Sequence, residues 1–368
     1  IKILSIYTIL YRLKGCDSMR KKGVSSVKVA AAYIGTVVGA GFATGQEILQ
    51  FFNRFGALGL AGILTATIMF IVFGYFIMVL GRKLNSRSHL EIIKYSGGKK
   101  LGALMDLVIT VFLFGSFTAM IAGTGALFSQ QFNLHPLTGN ILMAVLSAVT
   151  VFAGINGVIN SISFVVPFLL AAVIGTGLFS IISRTPDIDI AAAVMGESSL
   201  MTNWLVSAVL YVSYNIIISS AVLAPLGSEA RDIKAVRNGA VLGGLGLGLG
   251  AVMVYLALSG SISEITDLEV PMIYIAGGIS RAAQTTYAAV LVAEVYTTAV
   301  ASLYGFVSRI SDIRRHTVKS RIVTVEITIA ALLASQFGFS NLVKYLYPAV
   351  GYCGIALLIC LIHAKFTL

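Results

Sequence analysis

Tyr33-Ile34-Gly35-Thr36-Val37-Val38-Gly39-Ala40-Gly41-Phe42-Ala43-Thr44-Gly45-Gln46-Glu47 lies inside an apolar run, about residues 28–51, that is long enough to cross a bilayer. Four of these fifteen residues are glycine. Each weakens a helix by roughly 1 kcal/mol relative to alanine and frees the backbone to leave helical geometry. Unwound backbone at membrane depth is tolerated only where protein or a water-filled cavity satisfies its polar groups. The stretch therefore predicts a helix interrupted near Gly39, at the middle of a membrane span, where peptide groups are released to bind a small solute.

The surrounding chain agrees with a bilayer setting. Of 368 residues, 57% are hydrophobic and 11% charged, more apolar surface than a soluble domain of this size can bury. The net charge of +11 does not point to nucleic acid, because the basic residues sit in short loops between apolar runs. Three cysteines, Cys16, Cys353 and Cys360, are too few and too scattered for a disulfide framework or a metal site, and read as small buried apolar residues. No cofactor is expected. Met19-Arg20-Lys21-Lys22 reads as a natural start, with residues 1–18 an over-extended one.

Ten runs reach, or nearly reach, spanning length: about 28–51, 57–80, 103–129, 140–155, 160–183, 202–226, 237–259, 283–307, 320–337 and 345–363. With the N-terminal arm (residues 1–27) and the C-terminus both cytoplasmic, 22 of the 26 Lys and Arg residues fall on the inside. Ten spans divide into five and five, residues 28–183 and 202–363, together forming one transmembrane domain. An odd-numbered half exits opposite to where it entered, so the second half is inverted relative to the first. The fold expected is an all-α polytopic membrane protein with ten transmembrane helices in a 5+5 inverted repeat. The sixth span, the counterpart of the first, carries Tyr211-Val212-Ser213-Tyr214-Asn215 at its centre and Pro225 near its end, and is expected to be discontinuous as well.

Polar residues gather at one depth. The midpoints of the first, third, sixth and eighth spans fall near Gly39, Ser116, Tyr214 and Glu294. A carboxylate at mid-membrane is disfavoured by about 2.5–3.5 kcal/mol on insertion scales. Glu294 shares a helix face with Thr297 and Thr298, three and four residues on. One carboxylate and two hydroxyls suit a hard cation or a proton. Alternatively, the threonines bond back to their own helix and Glu294 bonds a neighbouring backbone. Gln46 and Glu47 fall about two turns outward from the glycines, about 12 Å from the midplane for Glu47, as lining of an outer vestibule or as a solvated helix end. Asn156 and Asn160 bracket a tight turn between the fourth and fifth spans. The run Gly243-Gly244-Leu245-Gly246-Leu247-Gly248-Leu249-Gly250 is intramembrane and follows no strand, so it reads as close helix packing and not as a nucleotide loop. Trp204 reads as an interfacial anchor.

The segment Gly35 to Glu47, after a short basic start, resembles the YkvI-like group of bacterial membrane proteins, over essentially the whole chain from Met19. More distantly, its glycine pattern resembles the amino acid–polyamine–organocation superfamily and sodium-coupled symporters of the LeuT fold. The resemblance implies a bundle of spans 1, 2, 6 and 7 against a scaffold of spans 3, 4, 8 and 9, with substrate where spans 1 and 6 unwind. It also implies a sodium ion held by the carbonyls of Gly35 and Val38 and the hydroxyls of Thr297 and Thr298. Glu294 departs from the symporter pattern, and the sixth span lacks a glycine-rich break.

The function expected is a secondary transporter coupled to Na+ or H+, working by alternating access in a bacterial cytoplasmic membrane. Amides around Gly41–Ala43 at the start of a half-helix would favour a carboxylate, and Gly39, Ala40, Gly41 and Phe42 are expected to bind the substrate. Ser116, Tyr214 and Asn215 would complete the pocket for an amino acid-like or carboxylate solute. A nutrient sensor on the same scaffold, binding without net transport, is the rival. An intramembrane enzyme is not expected: His89, His135, His316 and His363 lie in loops or near a terminus, and no H-E-x-x-H pair occurs.

Overall fold

The computed structural model describes residues 23–86, 89–153, 155–188, 198–311 and 318–366. Helices occupy every apolar run. The first run is in three pieces, α1 (Ser26–Val37), α2 (Ala40–Thr44) and α3 (Gln46–Phe51). There follow α4 (Ala57–Leu84), α5 (His89–Phe132), α6 (Pro136–Ala153) and α7 (Ile155–Ser183). The second half holds α8 (Trp204–Glu229), α9 (Ile233–Ser259), the short α10 (Ile262–Ile265) and α11 (Pro271–Ile279), and α12 (Arg281–Ile310). It ends with α13 (Val318–Ala334), α14 (Phe339–Asn341) and α15 (Tyr347–Phe366), the last two joined by a π turn over Leu342–Leu346. Among the described residues, β pairing is confined to one parallel bridge, Val24 to Ala230. Met19–Lys22, Cys16 and His316 lie outside the described residues.

Among the described residues, six helical stretches are long and apolar enough to cross a membrane: α4, Gly102–Phe132 of α5, α8, α9, α12 and Phe339–Ala364. Ser26–Val37, Pro136–Phe152 and Ala171–Ser183 are shorter apolar helices. The outer faces are apolar. Ile322, Val325, Ile329 and Leu333 recur at helical spacing along α13 and are all exposed, a stripe that water would not favour and lipid would. Cys353 is exposed and Cys360 half-buried, not buried as expected; both are free thiols.

Local chemistry sets the helix ends. Asn203 caps α8 by accepting from the amides of Leu205 and Val206, and Asp232 caps α9 by accepting from Ala235. That amide holds the exposed Asp232 carboxyl below the usual carboxylate range. Two expectations are corrected here. The turn expected around Asn156 and Asn160 is helical, because α7 already begins at Ile155. The sixth span is also not discontinuous: α8 runs from Trp204 to Glu229 without interruption. It has no glycine before Gly227, and its smaller polar side chains find carbonyl partners without breaking the helix. The Asn215 side-chain amide donates to the Tyr211 carbonyl at 3.0 Å, and Ser220 donates to Ile217 at 2.6 Å.

The helices pack in two groups. In one, α8 and α9 lie against α4 and α1; in the other, α5, α6, α12 and α13 pack on one another. The glycine run of α9 is what lets the first group close. A Cβ on Gly243 would stand 2.6 Å from Tyr33, one on Gly246 would stand 2.6 Å from Ile34, and one on Gly248 would overlap Thr67. Packing through small residues, expected for this run, is what the structure has.

Candidate functional site

The first helix stops at Val38, whose amide bonds to the Ile34 carbonyl at 2.8 Å. Gly39 is extended (φ −116°, ψ −171°), and α2 begins at Ala40. The interruption expected near Gly39 is present. A second one follows at Gly45, left-handed at φ 85°, a conformation glycine adopts without steric penalty. The hydroxyl of Thr44 donates to the Gly41 carbonyl at 2.9 Å and accepts from the Gln46 amide at 3.3 Å, so the joint is held on both sides. Ala40, Gly41 and Phe42 are buried within α2, and Gly35 lies in α1. A Cβ on Gly39 would meet no atom within 4 Å, so the space beside the break is open. With only five residues, α2 has little of the dipole expected of a half-helix.

One face of α12, which packs on α2, carries Tyr287, Leu291, Glu294, Thr298 and Ser302 at helical spacing. The Tyr287 hydroxyl donates to the Ala43 carbonyl of α2 at 2.6 Å. Glu294 is 3% exposed, it faces Thr298, and its Oε2 has no hydrogen-bond partner. Thr297 bonds back to the Glu294 carbonyl at 2.9 Å, so its hydroxyl is engaged locally. Ser116 of α5 pairs with Ser302 at 3.0 Å, one turn beyond Thr298.

Gln46 and Glu47 are corrected most. Neither lines an open vestibule: they are 0% and 4% exposed. Counting along a straight helix put Glu47 near the headgroups, but the left-handed turn at Gly45 re-aims α3. The Glu47 carboxylate folds back onto Gly41, whose Cβ it would overlap. Gln46 donates to the Leu268 carbonyl at 2.6 Å and begins a relay in which Gln50 and then Arg54 follow, with Arg54 donating to Gln50 at 2.8 Å.

Glu47 lies against Tyr211 and Tyr214 of α8. Its Oε2 and the Tyr214 hydroxyl are both buried without a hydrogen-bond partner. The rings of Tyr211 and Tyr214 stand 5.6 Å apart, Tyr347 is 5.1 Å from Tyr214, and Phe51 is 5.4 Å from Tyr211. Phe112 of α5 stacks on Tyr214 at 6.1 Å and ties this cluster to the second group. Of the residues expected to form a pocket, Tyr214 belongs to it, Asn215 is turned onto its helix, and Ser116 is bonded to α12. Tyr211 and Tyr347 are members that sequence reading missed, as it missed Tyr287, which holds α2 at Ala43. Tyr211 and Tyr287 stand three and seven residues before Tyr214 and Glu294, a helical spacing that marks shared faces.

No protein-family model matches the chain. The chain is 30% identical over 350 residues to the uncharacterised membrane protein YkvI of Bacillus subtilis, spanning 94% of this chain and 98% of that protein. It is also 30% identical over 339 residues to the uncharacterised protein YyaD of the same organism, over 89% and 94%. Among solved structures it is similar to MhsT in complex with L-phenylalanine (TM-score 0.62, 17% identity, 89% of this chain and 86% of that one). It is likewise similar to the inward-facing conformation of Mhp1 (0.60, 14%, 88% and 77%). A substrate-bound, outward-open Na+-coupled sialic acid symporter gives 0.60 at 13% identity, over 85% and 74%. At such identities the likeness is one of fold, the LeuT fold.

Proposed function

The chain belongs to the family of the membrane protein YkvI, and from that premise we propose that it is a cation-coupled secondary transporter of a small amino acid-like or carboxylate solute. It works by alternating access, as ten spans in two inverted halves of five with both termini cytoplasmic. The observation that carries this reading is the broken first helix with open space at Gly39, beside a buried carboxylate on α12, the helix that holds α2 through Tyr287. Fold likeness to MhsT and to a Na+-coupled symporter supports it.

The coupling ion, Na+ or H+, sits between the halves of this arrangement. Gly35 and Val38 supply carbonyl oxygens from the end of α1, and Glu294 and Thr298 supply side-chain oxygens from α12. Glu294 lies seven residues from Tyr287, about 10 Å along the helix. In the proposed arrangement the two helices run antiparallel from Ala43, and Glu294 comes level with the break. Thr297, bonded to its own helix, has the lesser part. An isolated carboxylate at this depth is strongly disfavoured without a cation or a proton, so ion binding stabilises the broken helix against α12 and raises solute affinity.

Substrate-dependent Na+ or H+ flux in proteoliposomes tests the reading. Glu294→Gln is expected to abolish coupling and to lower solute affinity about tenfold or more. Unchanged coupling in that variant would remove Glu294 from the mechanism, and binding without flux in the wild type would favour a sensor.

A further inference from the structure

We propose that Glu47, seated on Gly41 between Tyr211 and Tyr214, recognises a protonated amine of the solute. The word solute rests on the transporter reading, but the assignment of Glu47 does not. Among the described residues, the ion pairs are Arg184–Glu264, Arg231–Asp232 and Arg309–Asp106, and none involves Glu47. A carboxylate taken out of water with no counter-charge is among the most destabilising groups a protein can carry. Its retention in a rigid setting, with a hydroxyl beside it also unpaired, calls for a guest that satisfies both.

The surroundings select the guest. A proton on Oε2 supplies a single donor, which the Tyr214 oxygen can accept, and brings no positive charge to the rings around it. An ammonium group offers several donors: one to Oε2 and one to the Tyr214 oxygen. The carboxylate lies against Tyr211 and Tyr214, whose rings pack with those of Phe51 and Tyr347, and aromatic faces attract desolvated cations. A metal ion is a poorer fit: among the described residues no group of three His, Cys, Asp or Glu is placed to hold one. The seat lies at the start of the first helix's outer half, with Gly41 two residues from the open space at Gly39. A zwitterion held at Glu47 thus projects its remaining groups toward the break.

The test is binding by the purified full-length protein. The proteinogenic L-amino acids and methylammonium are screened by ligand-induced thermal shift, and each hit is compared with its analogue lacking the amine. Hits are expected among the amines, and loss of the amine is expected to weaken binding by roughly tenfold or more. Glu47→Gln should do the same while keeping or raising the Tm of the free protein, because it removes an unpaired buried charge. Gly41→Ala, which keeps the carboxylate but displaces it, should mimic that loss, and Tyr214→Phe should give about threefold to tenfold. The exposed Glu326→Gln should change nothing. Equal binding of amine-free analogues, wild-type affinity in Glu47→Gln, or no binding by any amine overturns the proposal. If Glu47→Gln still carries out ion-coupled uptake with unchanged affinity, this assignment fails and the transporter reading stands. If amine binding depends on Glu47 but no uptake occurs, the reverse holds.

Discussion

Gly39 differs from its neighbours in what its missing side chain does. At Gly41 and Gly45 a Cβ would collide with Glu47 or Met272, so those glycines are required by packing. At Gly39 a Cβ meets nothing, and the backbone there is extended, which any residue can adopt. Gly39→Ala is therefore expected to fold with an unchanged Tm yet to bind solute less tightly, because the methyl enters space reserved for the guest. A Tm fall of several degrees with unaltered affinity would show that the glycine serves the fold instead. Part of this was legible beforehand: glycine density marked the break, and a carboxylate at the centre of an apolar run marked Glu294. The position of Glu47 was not legible, because it depends on the left-handed φ of one residue, Gly45, and a straight-helix count cannot foresee a turn of that kind.

At the scale of elements, spacing in the sequence located the long helices, because runs of apolar residues long enough to span lipid permit little else, and it passed over the short α10 and α11. It misjudged continuity in α8, where the polar stretch Tyr211–Asn215 and Pro225 looked like a disturbance. Asn215 satisfies itself on the Tyr211 carbonyl four residues back, Ser219 and Ser220 do the same three residues back, Ser213 donates to Gly351, and the ladder runs on beneath them. Glycines disturb a helix and polar side chains of this size need not, which is why the first run broke and the sixth did not. The α9 run was read correctly as a packing surface. Gly248→Val drives a branched side chain into Thr67 of α4 and is expected to destabilise by about 1–3 kcal/mol. Denaturation of the purified protein would measure it, and a neutral result would mean that α4 and α9 are less closely apposed than described.

At the scale of the molecule, the contacts within each helix group are of a kind that resists sliding, and those between the groups are fewer. Backbone approach and short polar bonds tie the first group: Val24 pairs with Ala230, Ser228 donates to the Gly81 carbonyl at 2.7 Å, and Tyr33 donates to Phe70 at 2.7 Å. The second is tied by Ser116 to Ser302 and by Arg309 to Asp106. Spin-label distances within either group, such as α4 to α9 or α6 to α13, are expected to stay fixed when solute and ion are added, while distances between α4 and α6 shift. Equal shifts within the groups would sink the rigid-body picture. The segment Ala40–Thr44 belongs wholly to neither. A rod with one joint swings as a lever and must sweep its far end through the protein; a short piece with a joint at each end can roll in place. Secured to α12 through Tyr287 at Ala43 and jointed at Gly39 and Gly45, these five residues would, in the proposed transport cycle, face alternately toward either side of the barrier, while the unbroken α8 stands as the doorpost.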